Sequence, residues 1–157
     1  MKNEKRTFRR LGTMLDCSRN AVMTVEAVKK WIGITADMGY NALMLDTEDT
    51  YEVAGEPYFG YARGRYSKAE LKELNACAAS SGMELIPCIQ TLAHLNAIAR
   101  WPEYAPHMDV QDILLAEDER TYELIERMFE TVAECFSSKC RRSDVQPADE
   151  LHDGRRS

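Results

Sequence analysis

Three short apolar runs near the start of the chain each lead directly into polar side chains that can bind or react with a ligand. The runs are GTMLDCSR, ALMLDTEDTYE and ELIPCIQTLAH. They are apolar on both faces rather than alternating, which is typical of parallel strands covered on both sides. When parallel strands alternate with helices, all their carboxyl ends lie on one side of the sheet. The pattern therefore predicts an α/β fold in which the three strand exits converge on one site.

Helix signals lie between and after these runs. Thr24 is a suitable N-cap, and Gly39 is suited to end the helix that follows it. Ser67 and Glu70 form the Ser-x-x-Glu pattern of a capping box. The predicted helices cover residues 24–38, 67–79, 95–100 and 119–136.

Apolar residues recur at helical spacing in the first and the last of the long predicted helices. We expect each set to form a face that packs in the core. The first face is Val25, Val28, Trp31, Ile32 and Ile34, and the second is Tyr122, Ile125, Met128, Phe129 and Val132.

The length of the chain limits how much of a barrel it can form. Its 157 residues suit one domain, whereas a complete eight-fold βα barrel needs roughly 250 residues. We therefore expect a partial (β/α)8 barrel of the TIM type, made of about the first three βα units and the helix before strand four. In this interpretation residues 1–136 form the barrel portion and residues 137–157 form a divergent polar tail.

Composition argues against several classes of partner and indicates where in the cell the chain is located. The net charge of −6 argues against nucleic acid, and no apolar run is long enough to span a membrane. The basic start, MKNEKRTFRR, is followed by too short an apolar run for a signal peptide. Five cysteines without CxxC spacing indicate neither a disulfide framework nor a zinc site. A cytoplasmic location is therefore expected.

The connection from residue 46 to residue 66 is long and rich in aromatic residues. Long connections in compact domains are usually functional or disordered, and so many aromatic residues argue against disorder. Aromatic faces beside acidic groups suit the faces and hydroxyl rims of a sugar. The alternative is that the aromatic residues only hold the loop against the barrel. The residues concerned are Tyr51, Tyr58, Phe59, Tyr61 and Tyr66.

Four segments, in their order and spacing, carry a resemblance to a known family. They are DCSRN with Arg19, TEDTYEV, GRYSKAEL, and IPCIQTLAHL with His94. From about Leu11 to Phe136 the sequence resembles the N-terminal portion of the catalytic barrel of glycoside hydrolase family 20, the β-N-acetylhexosaminidases. Within that family it is similar to a cytoplasmic bacterial branch. The resemblance implies a (β/α)8 barrel that acts on terminal N-acetylglucosamine or N-acetylgalactosamine.

The resemblance also implies substrate-binding roles for particular residues. An arginine leaving strand one binds sugar hydroxyls in this family, and Arg19 has that position. An acidic residue leaving strand two contacts the same sugar, which points to Glu48 or Asp49. A histidine leaving strand three lies beside the catalytic acids, and His94 matches it, although Ala93 replaces the usual glycine and could crowd a tight turn.

Each of these residues also has a purely structural alternative. Arg19 could pair with Asp16 or Asp46 across the barrel mouth. The acidic residues after the second strand could form a solvated loop, which is common for such clusters. A lone histidine such as His94 is more often structural than catalytic.

The catalytic pair of the family has only a doubtful match in the tail. Family members use an Asp-Glu pair after strand four: the glutamic acid protonates the leaving oxygen, and the aspartate orients the acetamido group that attacks the anomeric carbon. Here Asp149 and Glu150 occur, but Gln146-Pro147-Ala148 precedes them, and proline disfavours a central strand. We expect a truncated chain with little activity; a weak remnant of the motif is the alternative.

The sequence therefore predicts a glycoside hydrolase fragment of the β-N-acetylhexosaminidase type, with a glycan as its partner and no metal or organic cofactor. A non-catalytic carbohydrate-binding or interaction module is the alternative. A metal-dependent barrel enzyme using Asp46, Glu48, Asp49 and His94 is less favoured, because close ligand spacing such as His-x-His is absent. Exposed strand edges in a partial barrel also predict self-association.

Overall fold

A computed structural model describes residues 8–19, 21–138 and 142–143 of the chain. Parallel strands alternate with helices, as the sequence predicts. In chain order the elements are β1 (Gly12–Asp16), α1 (Val25–Asp37), β2 (Ala42–Asp46), α2 (Lys68–Ser80), β3 (Glu84–Ile89), α3 (Asn96–Ala99), a 3-10 turn (Ala105–His107), β4 (Met108–Val110), β5 (Ile113–Leu114), α4 (Glu119–Cys135) and β6 (Arg142–Ser143).

Four of the strands form one parallel sheet with the order β1, β2, β3 and β6. The first three end almost level, because Asp16 pairs with Asp46 and Asp46 pairs with Cys88. Their carboxyl ends therefore share one edge, and the partial barrel with three βα units is confirmed. No closed barrel is formed by the residues described.

The two predicted helix caps are present at the starts of α1 and α2. The Thr24 side chain accepts a hydrogen bond from the Ala27 amide at 3.3 Å. At α2 both halves of the capping box form: Glu70 N–H donates to the Ser67 hydroxyl at 3.2 Å, and Ser67 N–H donates to the Glu70 carboxylate at 2.7 Å. These bonds satisfy amides that have no partner within the helix, which explains why the helices begin there.

Two helix faces differ in part from the prediction. In α1, Val28 and Ile32 are buried, but Ile34 is 45% exposed. In α4, Met128 and Val132 are buried with Leu124, whereas Tyr122 and Phe129 are 57% and 40% exposed. The threonines Thr35, Thr121 and Thr131 take buried positions on these helices. The sequence did not predict these buried positions, because the pattern used apolar side chains alone and threonine carries a polar hydroxyl.

Two small features were missing from the sequence prediction. Met108–Val110 and Ile113–Leu114 form an antiparallel pair between α3 and α4. After Phe136, where the sequence predicts no buried strand, the short strand β6 pairs in parallel with β3. Within the part of the chain that the structure describes, no helix is both long and apolar enough to cross a lipid bilayer.

Candidate functional site

The strand exits converge on one cavity of about 480 Å³ at the carboxyl edge of the sheet. Arg19 follows β1, and Glu48 follows β2. The loop before α2 and the helix α3 supply the remaining wall. The lining residues are Ser18, Arg19, Glu48, Ala62, Arg63, Asn96, Ala97 and Arg100.

Glu48 combines burial, strain and an altered acidity. The residue is only 6% exposed, and its φ of 50° lies in the left-handed region. Burial, with the nearby carboxylate of Asp49, raises the pKa of Glu48 from 4.5 to about 7, although Arg19 and Arg63 act in the opposite direction. Glu48 can therefore be either a hydrogen-bond donor or an acceptor near neutral pH.

Asp49 lies behind the cavity rather than in its wall. Its carboxylate is 2% exposed and has an Arg63 guanidinium nitrogen 3.3 Å away. Burial raises the pKa of Asp49, while the charge of Arg63 lowers it. Asp49 is therefore suited to hold Arg63 in place rather than to touch a ligand.

Arg63 connects the loop before α2 to the exit of β1. Its guanidinium donates to the backbone carbonyl of Ser18 and, at 3.3 Å, to that of Arg19. With the ion pair to Asp49, one side chain links two strand exits. The backbone that carries Arg19 is thus positioned by Arg63.

The turn after β1 is also shaped by Asp16. Its carboxylate accepts hydrogen bonds from the Ser18 amide at 2.8 Å and the Ser18 hydroxyl at 2.5 Å. These bonds, together with the charge of Arg19, hold the pKa of Asp16 below its usual value. The Arg19 residue itself is exposed at the cavity, so its guanidinium is accessible to a ligand.

His94 follows β3 at the same edge of the sheet, but it is exposed and is not among the residues that line the cavity. Its φ of 61° is in the left-handed region, whereas Ala93 is outside that region. The strained turn that was expected near Ala93 is therefore formed by His94 instead.

Among the described residues other than glycine, only Glu48, Ala62 and His94 have positive φ, and all three lie at this edge. Strained residues are often concentrated at functional sites.

The loop from residue 46 to residue 66 is fixed to α4 by a buried carboxylate. The Glu56 side chain is fully buried and accepts hydrogen bonds from Arg120 at 2.7 and 2.8 Å and from Arg127 at 2.7 Å. The Tyr104 hydroxyl donates a further bond at 2.9 Å. Two guanidinium groups and a phenol therefore compensate for the burial of this charge.

The aromatic residues of the loop divide into two groups. Tyr51, Phe59 and Tyr66 are buried in the core, so they do hold the loop against the sheet. Tyr58 and Tyr61 remain 40% and 52% exposed. The structural alternative considered for the whole set thus applies to the buried group.

Asp149 and Glu150 lie outside the described residues. Within the described ranges, no three His, Cys, Asp or Glu side chains form a group that could hold a metal ion. The exits of β1 and β2 thus bring Arg19 and Glu48 together, with Asp49 outside the cavity lining, and His94 after β3 is exposed at the same edge.

Sequence reasoning missed Arg63 and Arg100, which line the same cavity. Neither follows a strand directly, so the strand-exit pattern gave no reason to select them. Arg63 lies between Gly60 and Gly64, both with positive φ. A cationic residue between such glycines in a long loop is the signal that could have indicated it.

Comparison of the sequence with protein-family models finds no match. Two curated relatives do align with part of the chain. Hexosaminidase D of Bos taurus is 31% identical over 85 residues, which cover 46% of this chain and 25% of that protein. Hexosaminidase D of Homo sapiens is 29% identical over 68 residues, covering 43% of this chain and 14% of that protein. The chain thus spans a quarter or less of these relatives.

Solved structures match a larger share of the chain. A mutant Streptomyces plicatus β-hexosaminidase in complex with its product, GlcNAc, has a TM-score of 0.75 at 23% identity, covering 86% of this chain and 32% of that one. A family 20 exo-β-N-acetylglucosaminidase from Vibrio harveyi, in complex with N-acetylglucosamine, has a TM-score of 0.71 at 22% identity, covering 83% and 26%. The chain has the fold of part of the glycoside hydrolase family 20 β-N-acetylhexosaminidases, and the resemblance to this family seen in its sequence is confirmed at the level of the fold.

Proposed function

We propose that this chain is the N-terminal part of the catalytic barrel of a β-N-acetylhexosaminidase and that its cavity binds a terminal N-acetylglucosamine or N-acetylgalactosamine. One observation carries the proposal: Arg19 and Glu48, from two strand exits, line one cavity in a fold shared with this family. Active sites of βα barrels lie at this edge of the sheet.

The geometry supports a separate role for each proposed substrate-binding residue. The exposed guanidinium of Arg19 can donate two parallel hydrogen bonds to vicinal sugar hydroxyls. Glu48, in the cavity wall, is better placed than Asp49 to meet the same sugar. Asp49 supports the site through Arg63. His94, exposed at the same edge, is proposed to lie beside the catalytic acids.

In the proposed reaction, the acetamido oxygen of the substrate attacks the anomeric carbon and the anomeric configuration is retained. Asp149 is the proposed residue that orients the acetamido group, and Glu150 is the proposed acid that protonates the leaving oxygen. The nucleophile belongs to the substrate, so this scheme requires no metal or organic cofactor.

The first test is hydrolysis of a chromogenic N-acetylglucosaminide by the 157-residue chain. We expect a negligible rate, because a general acid must lie within hydrogen-bond reach of the leaving oxygen and the segment before Glu150 is polar and contains Pro147. A rate comparable to that of a full-length relative, abolished by Glu150→Gln, would show instead that Glu150 is a working acid.

The second test is binding, and it separates the proposal from the alternative of a non-catalytic carbohydrate-binding module. Calorimetry should find N-acetylglucosamine bound no better than roughly millimolar, about −4 kcal/mol. The cavity is lined mainly by polar and charged side chains, with only Ala62 and Ala97 apolar, so the sugar stays largely hydrated. Arg19→Ala should remove this binding. Micromolar binding that depends on Arg19 would favour the dedicated module.

Location, tail and further partners also belong to the proposal. A cytoplasmic location is supported by the cysteines Cys17, Cys77, Cys88 and Cys135, which are free thiols. The net charge of −6 disfavours nucleic acid as a partner. No membrane partner is proposed. The boundary at residue 136, with a divergent tail over 137–157, stays a prediction.

A further inference from the structure

An exposed aromatic cluster lies beside the candidate site and has no role in the reaction proposed above. We name it the aromatic platform; it consists of Tyr58, Tyr61 and Trp101. Tyr58 and Trp101 are stacked, with ring centres 5.5 Å apart and 25° between their planes. Tyr61 meets both rings edge-on, at 5.9 Å from Tyr58 and 5.2 Å from Trp101. The platform thus joins the loop before α2 to the segment after α3.

The packing of the loop does not account for the platform. Three other aromatic side chains of the same loop, Tyr51, Phe59 and Tyr66, are each no more than 3% exposed and anchor it in the core. Tyr58 and Tyr61 are 40% and 52% exposed, and Trp101 is partly buried with part of its side chain packed against the core. Exposed groups of large apolar side chains commonly mark sites of interaction.

The platform is continuous with the cavity along the chain. Tyr61 immediately precedes Ala62, and Trp101 immediately follows Arg100. Ala62 and Arg100 both line the cavity. Two of the three platform residues are thus one peptide bond away from the cavity lining.

We propose that the aromatic platform binds the second sugar ring of a glycan, the unit to which the terminal N-acetylhexosamine is attached. This inference rests on the proposed function, which places the terminal sugar in the cavity. The C–H face of a pyranose ring is weakly positive and matches the negative face of an aromatic ring, while tyrosine hydroxyls can bond to sugar hydroxyls. The cavity recognises one sugar, and the platform extends recognition to the next.

The test uses the two tryptophans of the chain, Trp31 and Trp101. Trp31→Phe leaves Trp101 as the single source of tryptophan emission. N-acetylglucosamine and N,N′,N″-triacetylchitotriose are titrated into this variant. We expect the trisaccharide to shift the Trp101 emission to shorter wavelength and to bind about tenfold more tightly than the monosaccharide. The indole N–H signals of the unmodified chain, followed by NMR, provide the same readout without the substitution.

Two tyrosine variants test whether the platform is responsible for the tighter binding of the trisaccharide. Tyr61→Ala should remove the preference for the trisaccharide and leave the affinity for the monosaccharide unchanged. Tyr122→Ala is the matched control, because Tyr122 is 57% exposed on α4 and outside the platform. A preference that survives Tyr61→Ala, or no response of Trp101 to millimolar trisaccharide, would overturn the proposal.

Arg19→Ala distinguishes failure of the platform from failure of the proposed function. If the monosaccharide binds through Arg19 but the trisaccharide binds no better, the proposed function stands and the platform proposal fails. If the trisaccharide binds through Tyr61 while Arg19→Ala changes nothing, the platform binds sugar and the role of the cavity is wrong. A shift in Trp101 emission that depends on protein concentration, without sugar, would identify a protein interface instead.

Discussion

At Glu48, backbone strain, burial and neighbouring charge act on one side chain. A left-handed backbone turns this glutamate into the cavity wall, where Asp49 and two arginines surround it. The raised pKa of Glu48 is a consequence of that position. A glutamate in a solvated acidic loop, the structural alternative, would have neither the burial nor the strain.

The raised pKa of Glu48 predicts a pH dependence of stability. Between pH 4.5 and about 7 the folded chain holds more protons than the unfolded chain, so the free energy of unfolding should fall as pH rises through this window. The loss should be on the order of 1–2 kcal/mol and should be absent in Glu48→Gln. Urea denaturation at several pH values measures it, and the exposed Glu103→Gln serves as control. Equal pH profiles for the unmodified chain and Glu48→Gln would contradict the prediction.

Gly60 is required where the loop passes behind the strand exit of β2. A Cβ added there would overlap the Asp49 carbonyl oxygen, and the residue has a φ of +65°. Gly82 has nearly the same φ, +70°, but open space around it. We predict that Gly82→Ala costs about 1 kcal/mol for the backbone alone, and that Gly60→Ala costs at least about 2 kcal/mol more because the loop must move. Thermal or urea unfolding of both variants tests this; equal losses would mean that the close contact is relieved without cost.

At the scale of elements, the loop before α2 is attached to α4 chiefly through Glu56. We predict that Glu56→Gln lowers the free energy of unfolding by about 3 kcal/mol, because it leaves two guanidinium groups without their buried counter-charge. Glu123→Gln is a matched control: Glu123 contacts the same two arginines, at 3.7 and 3.9 Å, but is 57% exposed. Its loss should be at most about 0.5 kcal/mol. Similar effects in the two variants would show that burial of Glu56 is unimportant.

Most elements were predictable from the sequence because their signals are local. Helix starts depend on a side chain and an amide three residues away, as at Ser67 and Glu70, and such spacing can be read directly. Buried parallel strands need continuous apolar runs, and these too are visible. The antiparallel pair β4 and β5 was missed because strands of three and two residues carry no readable period.

The candidate site was predictable only in part, for a physical reason. Strand exits are ordered by the shared direction of the strands, so Arg19 and Glu48 could be placed at one edge before the structure was known. The hydrogen bonds of Arg63 to the exit of β1, and those of Glu56, join residues 44 to 71 positions apart. Which distant charges meet depends on how the helices and the loop pack, and sequence spacing does not encode that.

At the scale of the whole molecule, β1 is an edge strand of the sheet in the part of the chain that the structure describes. In the sheet formed by the described residues, β1 pairs only with β2. Met14 in this strand is 51% exposed, and Leu11 beside it is 46% exposed. An unpaired strand with exposed apolar side chains is a template for pairing with another chain.

We therefore predict self-association that depends on concentration, measurable by analytical ultracentrifugation. Met14→Lys should weaken it at least about tenfold, because charge on an edge strand blocks edge-to-edge pairing. Ile34→Lys is the control, since Ile34 is 45% exposed but lies on α1. A monomer at all concentrations would refute the prediction, and an equal effect of Ile34→Lys would assign the association to apolar surface in general.

The contacts of Glu56 with α4 have a consequence for the distant exit of the first strand. Its partners Arg120 and Arg127 follow it by 64 and 71 residues. A buried carboxylate without these partners is costly, so the stability of the loop depends in part on the docking of α4. The same loop carries Arg63, which donates hydrogen bonds to the backbone of Ser18 and Arg19. A substitution on α4, far from the cavity, is therefore coupled through the loop to the segment that carries Arg19.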